Sequence, residues 1–167
     1  NRRWPTCHLY RCRRRQRLAS RRSRNHLVHQ IIFVGAAESV ADMEADENPA
    51  NEFPCMSSQQ FHRGARAQLY ALVTGSFLDE AYDLEVLDQT LALDGPYIYR
   101  LDMKAEQALA ELNEDQVEEI SQLWMSCEEI EQLDLVENDL HEFLFLLIHF
   151  CQIARNDDLG VYIYSDD

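Results

Sequence analysis

DLVENDLHEFLFLLIHFCQIARNDDLGVYIY, residues 134–164, decides the fold. Laid out at about 100° per residue, Leu140, Phe143, Leu144, Leu146, Leu147, Ile148, Phe150, Cys151, Ile153 and Ala154 cover most of a helix's circumference. A helix that is apolar nearly all round belongs at the centre of a core. Asp134, with Glu137 three residues on, reads as its capped start, so the helix is predicted from about Leu135 to Arg155. Asp157-Asp158-Leu159-Gly160 then turns the chain, and Val161-Tyr162-Ile163-Tyr164 alternates as a strand. The same Tyr-Ile-Tyr string opens Tyr97-Ile98-Tyr99-Arg100-Leu101, which follows the turn signal Asp94-Gly95-Pro96. Two strands separated by helices pair non-locally, in or at the edge of a small sheet. The fold class is therefore α+β, mostly helical, with a short sheet from strands near 97–101 and 161–164.

Working outward, Ser57 or Ser58 is predicted to cap a helix through Val73, with Phe61, Ala65, Leu69, Leu72 and Val73 inward. A shorter helix is predicted over Asp79–Leu91 from Ala81, Leu84, Leu87 and Leu91. Asp102 caps the next, through about Leu112. Asn113 with Gln116 makes a capping-box start for a helix striped by Val117, Ile120, Leu123, Trp124, Cys127 and Ile130. Its opposite face, with Glu118, Gln122, Ser126 and Glu129, is acidic and solvated.

Charge divides the chain. Residues 1–30 carry ten arginines, no lysine and no acid, whereas residues 31–167 carry 5 Lys/Arg against all 30 Asp/Glu, or −25. The overall −15 describes neither part. Residues 1–37 read as a basic, Arg-rich segment that is unstructured or not native, with Met43 or Met56 as candidate true starts. A targeting peptide and a nucleic-acid-binding arm are the competing readings. Residues 38–55, with six acids and two prolines, read as an acidic linker. Residues 56–167 read as a single acidic α+β domain.

An acidic body repels nucleic-acid phosphate and anionic membrane, so nucleic acid is a partner only for the Arg-rich segment. No apolar run approaches the length of a membrane span. Five cysteines without a framework pattern favour free thiols and a reducing, cytoplasmic setting. Cys7-x4-Cys12-x13-His26-x2-His29 comes close to a two-Cys, two-His zinc spacing. The short His–His interval and Gln16, where such fingers place an aromatic, argue against it. Glu137 with His141, and Glu142 with His149, share helical faces but form no metal motif, so metal and cofactor are both expected to be none. Phosphate-loop, dinucleotide and nucleophile-elbow motifs do not occur, and no catalytic residue is assigned.

What the acidic surface does suggest is a protein-interaction module, of the inhibitor or immunity type, binding a basic protein partner. The proposed contacts are Glu118, Glu119, Glu128, Glu129, Glu131 and Asp134. Phe145, an aromatic in the middle of the core helix's polar stripe (Asn138, Glu142, His149, Gln152, Asn156), is the apolar contact for that partner or for self-association. The alternative is a small enzyme or ligand-binding domain with a pocket lined by Tyr82, Tyr97, Tyr99, Tyr162 and Tyr164.

Overall fold

A computed structural model describes residues 29–58 and 60–166. In chain order it contains β1 (Gln30–Gly35), α1 (Ala37–Ala41), a 3-10 turn (Pro49–Asn51), β2 (Cys55–Ser57), α2 (Arg63–Thr74), α3 (Leu78–Tyr82) and β3 (Glu85–Thr90). These are followed by β4 (Tyr97–Leu101), α4 (Met103–Ala110), α5 (Glu114–Met125), α6 (Glu128–Glu131), α7 (Glu137–Asp157) and β5 (Gly160–Ser165). The five strands form one antiparallel sheet in the order β2-β1-β5-β4-β3. The fold is α+β, and the two Tyr-Ile-Tyr strands are direct neighbours, with Tyr99 opposite Ile163 and Ile98 opposite Tyr164.

Alternation along the strands sends side chains to two cores. Ile32 and Val34 of β1, Leu101 of β4, and Val161 and Ile163 of β5 face the larger one, under α2, α4, α5 and α7. Phe33, Ile98 and Tyr162 face the other way and meet Val40 and Met43. Helix α7 is the central helix, with Leu140, Leu144, Leu147, Cys151 and Ala154 fully buried. Trp124 is fully buried too, and its indole Nε1–H donates to the Ala65 carbonyl at 2.9 Å, satisfying its one polar group.

The domain reaches further toward the N-terminus than the sequence suggested. Gln30–Gly35, assigned above to the basic segment, is a strand paired on both sides, with Ile32 and Phe33 at zero exposure. The acidic stretch 38–55 is likewise no linker. Val40, Met43 and Phe53 cover the second sheet face, and Cys55 begins β2. Those apolar residues are irregularly spaced because most of the segment is not a regular element, so no period betrays them. The Arg-rich residues 1–28, including Cys7, Cys12 and His26 of the zinc spacing, lie outside the described residues.

Three local expectations also change. Ser57 belongs to β2, and α2 starts later, capped by His62 Nδ1, which accepts from Gly64 N and Ala65 N. The helix expected over 79–91 is the short α3 followed by β3. Its three-to-four spacing came from joining Ala81, inside α3, to Leu87, which sits on an edge strand and is 54% exposed. Pairing with β4 outweighs weak local propensity there. Asp134 caps nothing: it has a positive φ of 50° in the loop, and α7 begins after Val136 without a side-chain cap. By contrast the capping box of Asn113 and Gln116 forms in full, as does the Asp102 cap on α4.

Candidate functional site

A buried ionic network fixes the approach to the site. Arg66 of α2 and Glu85 of β3 are 1% and 3% exposed. Arg66 donates from Nε and Nη2 to the two Glu85 oxygens, each at 2.8 Å, in a bidentate fork. Tyr70 Oη donates to Glu85 Oε2 at 2.7 Å. The remaining Nη1 of Arg66 donates to Gln30 Oε1 and the Phe61 carbonyl, both at 2.7 Å, and to Ser58 Oγ at 3.4 Å. Burial opposes the guanidinium's charge, but the Glu85 carboxylate outweighs it and raises the Arg66 pKa. Burial, reinforced by that carboxylate, also raises Tyr70 well above the ordinary phenol. A single arginine thus ties α2, β1, β3 and the 58–61 turn together, which is consistent with buried charge being tolerated only when fully paired.

That turn forms one side of a groove of about 330 Å³, lined by Met56, Ser57, Gln60, Phe61, Asp139, Glu142, Phe143 and Leu146. Its floor is aromatic: Phe61 stacks on Phe143 with ring centroids 4.1 Å apart, and Trp124 lies behind both. Its other side is the first half of α7, where Asp139 and Glu142 are exposed carboxylates. None of the five Lys/Arg residues after position 30 lines it. One helical turn beyond Glu142 stands Phe145, 44% exposed.

None of the acids singled out from sequence lines the groove. Glu118 and Glu119 are exposed on α5, Glu128 and Glu131 are exposed on α6, and Asp134 is exposed in the loop that follows. Glu129 is half-buried, with Oε2 3.4 Å from His62 Nε2. Because His62 Nδ1 accepts the α2 cap bonds, its ring proton sits on Nε2, facing Glu129. This pair links the acidic α6 to the residue following Phe61.

Sequence reasoning missed Asp139 and Met56–Phe61 as site residues. Their only signal was a cluster of aromatics, Phe61, Trp124 and Phe143, on three helical patterns. Among the described residues no tyrosine lines the groove. Tyr99 packs on the helix side of the sheet, while Tyr162 and Tyr164 lie on the other side.

Glu106 of α4 is a further buried acid, 5% exposed, whose pKa is raised by burial with Arg100 opposing. Burial also pushes the Cys151 thiol far up, so it is an inert core group. Among the described residues no group of three or more His, Cys, Asp or Glu is placed to hold a metal ion. None of the described helices is long and apolar enough to cross a membrane. Comparison with protein-family models, with curated proteins and with solved structures gives no match.

Proposed function

We propose that the chain is a protein-interaction module, of the inhibitor or immunity type, that receives a basic protein partner along the groove and the acidic helices beside it. The observation that carries this is the groove's chemistry: an apolar floor of Met56, Phe61, Phe143 and Leu146, a wall bearing Asp139 and Glu142, and no cation in the lining among the described residues. Such a surface suits a segment that alternates arginine or lysine with apolar side chains. The charged heads meet the carboxylates while the stems and apolar groups cover the floor. Glu118, Glu119, Glu128, Glu129, Glu131 and Asp134 extend the same sign of field and act mainly on encounter rate. Phe145 supplies the apolar anchor at the rim. The free thiols of Cys127 and Cys151 suit a reducing compartment such as the cytoplasm.

The test is binding of a labelled arginine-decamer peptide to the full chain, followed by anisotropy across a salt series. From about 0.1 M to about 1 M salt the Debye length falls from about 10 Å to about 3 Å, and affinity should fall steeply. Replacing Glu118, Glu119, Glu128 and Glu131 together by glutamine should slow association more than it speeds dissociation. Binding that is absent at low salt, or unchanged through the series, would dismiss the reading.

A further inference from the structure

We infer that the basic partner enters the groove as an extended strand, which adds to the outer edge of β2 and reaches α7 with cations at alternate positions. The inference rests on the groove receiving a basic segment, and it adds that segment's backbone form and residue spacing.

The backbone at the groove's edge comes first. β2 is the outermost strand on this side of the sheet, and no described strand lies beyond it. Ser58 N–H donates to the Gln30 carbonyl at 3.0 Å, and Val34 N–H donates to the Pro54 carbonyl at 3.1 Å. Bonded and non-bonded pairs alternate along an antiparallel ladder. With Ile32 opposite Met56 and Ile31 opposite Ser57, Met56 is therefore bonded to β1 and Ser57 is not. The Ser57 N–H and C=O point away from β1, and neither has a partner among the described residues. Ser57 is exposed and lines the groove. An added strand satisfies both groups, which is how extended segments generally dock on a sheet edge.

Side-chain spacing fits the same occupant. Met56 faces the helix layer, in one core with Phe61 and Phe143. In antiparallel addition the residue opposite Ser57 turns its side chain to the other sheet face, and its two neighbours turn theirs toward the Phe61–Phe143 floor and the α7 wall. Those neighbours are two residues apart, about 6.8 Å along a strand. Asp139 and Glu142 are three residues apart on α7, about 5–6 Å between Cβ atoms. Two arginines at alternate positions thus meet two carboxylates, with their stems over the aromatic floor. The wider field agrees: residues 29–166 hold 5 Lys/Arg against 29 acids, or −24, which favours a cationic strand over a neutral or acidic one.

The opposite edge of the sheet is guarded where β2 is not. On β3 the register breaks between Leu87 and Gln89, Asp88 is exposed, and the Glu85 carbonyl accepts from Arg63 Nη2 at 3.4 Å. Bulges and edge charges discourage strand pairing. β2, Cys-Met-Ser, has an unbroken register and no charged side chain.

The experiment uses the full chain and a labelled eight-residue peptide of alternating arginine and threonine, read by anisotropy at low salt. Two further peptides carry N-methyl groups on every threonine nitrogen or on every arginine nitrogen. In antiparallel addition a threonine lies opposite Ser57, so methylating the threonines should weaken binding by about tenfold or more, while methylating the arginines should change it by less than about twofold. The reverse ranking identifies a parallel strand, whose bonds come from the groove-facing residues, and equally supports strand addition. On the protein, Ser57→Pro removes the outward N–H and spares the bonds to β1, so it should weaken the unmethylated peptide with little change in melting temperature. Asp139→Asn with Glu142→Gln should weaken it as well. Equal binding by the two methylated peptides, with Asp139 and Glu142 still required, would overturn the added strand and leave a partner site that reads side chains alone. A preference for one methylated set that survives both protein variants at full affinity would place the strand on another edge and overturn the inference too. No binding of any of the three peptides would remove the basic-partner reading itself.

Discussion

Replacing Glu85 with alanine should be among the most damaging single changes in this protein. The Glu85 carboxylate accepts both fork bonds from Arg66 at 2.8 Å and the Tyr70 hydroxyl at 2.7 Å, in a setting where all three side chains are at most 3% exposed. Its loss leaves the Arg66 charge buried without its counter-ion, and removing one partner of a buried pair costs about 3–5 kcal/mol. The stranded Tyr70 hydroxyl adds up to about 1–3 kcal/mol, less whatever relaxation recovers. Against a total stability of about 5–15 kcal/mol, that is a third or more for a typical domain. In urea denaturation followed by far-UV circular dichroism, with m of about 2 kcal/mol/M, the midpoint should drop by roughly 1.5–4 M. Tyr70→Phe removes one hydrogen bond to a charged acceptor and should cost about 1.5–3 kcal/mol. The double change Arg66→Met, Glu85→Leu removes both charges at once and should be far milder than Glu85→Ala, because no ion remains to be solvated. A Glu85→Ala loss below about 1 kcal/mol, or a double variant whose loss equals the sum of its singles, would refute the claim that unpaired buried charge sets the cost.

Three further outcomes follow from other positions. Glu106 has a folded pKa raised by burial, so the folded state holds its proton longer than the unfolded chain does. Stability should therefore fall as pH rises from about 4, the unfolded value, through the raised folded value, and then level off. Glu106→Gln should remove that fall, and matching melting profiles for parent and variant across this pH range would contradict it. Phe145→Ser should weaken partner binding or self-association while leaving the melting temperature within a degree or two, since the ring is 44% exposed; unchanged association in sedimentation would count against the rim anchor. Gly75 ends α2 with φ at 69° and has open space where a Cβ would go, so Gly75→Ala pays only backbone strain, about 1–2 kcal/mol. A neutral result in calorimetry would mean that the helix end relaxes.

What could be read from residues alone follows from how local each signal is. The core helix was legible because its apolar residues recur over six turns of a single element. The Asn113 box and the Asp102 cap were legible because caps depend on two to four neighbouring residues. The strands 97–101 and 161–164 carry the same Tyr-Ile-Tyr string and stand next to turn signals. β1 and β2 were not legible, because QIIFVG follows a run of arginines that suggested a different origin, and a three-residue edge strand has no measurable period. β3 failed for the converse reason. Its exposed Val86 and Leu87 broke the polar-out alternation, and only the partner strand shows what they are. The groove was invisible in sequence because Met56, Phe61 and Glu142 come together only once α7 is laid against the β2–α2 turn. Glu85 and Arg66, nineteen residues apart, gave no hint of pairing. Among so many acids, the buried Glu85 and Glu106 do not stand out.

The placement of β5 has a consequence for how the chain is made. It is the last element of the described chain, yet it sits in the middle of the sheet, hydrogen-bonded to β1 on one side and β4 on the other. During synthesis the β1–β2 ribbon and the β3–β4 hairpin share no strand pairing until residues 160–165 have emerged, although Arg66 bridges Gln30 of β1 and Glu85 of β3. Until then Ile32, Val34 and Ile98 border an empty slot, and the nascent protein presents two open strand edges that invite pairing with another copy. Closure is a single late event that spans nearly the whole described sequence, and the loss of those six residues by premature termination would leave no smaller version of this sheet to fall back on.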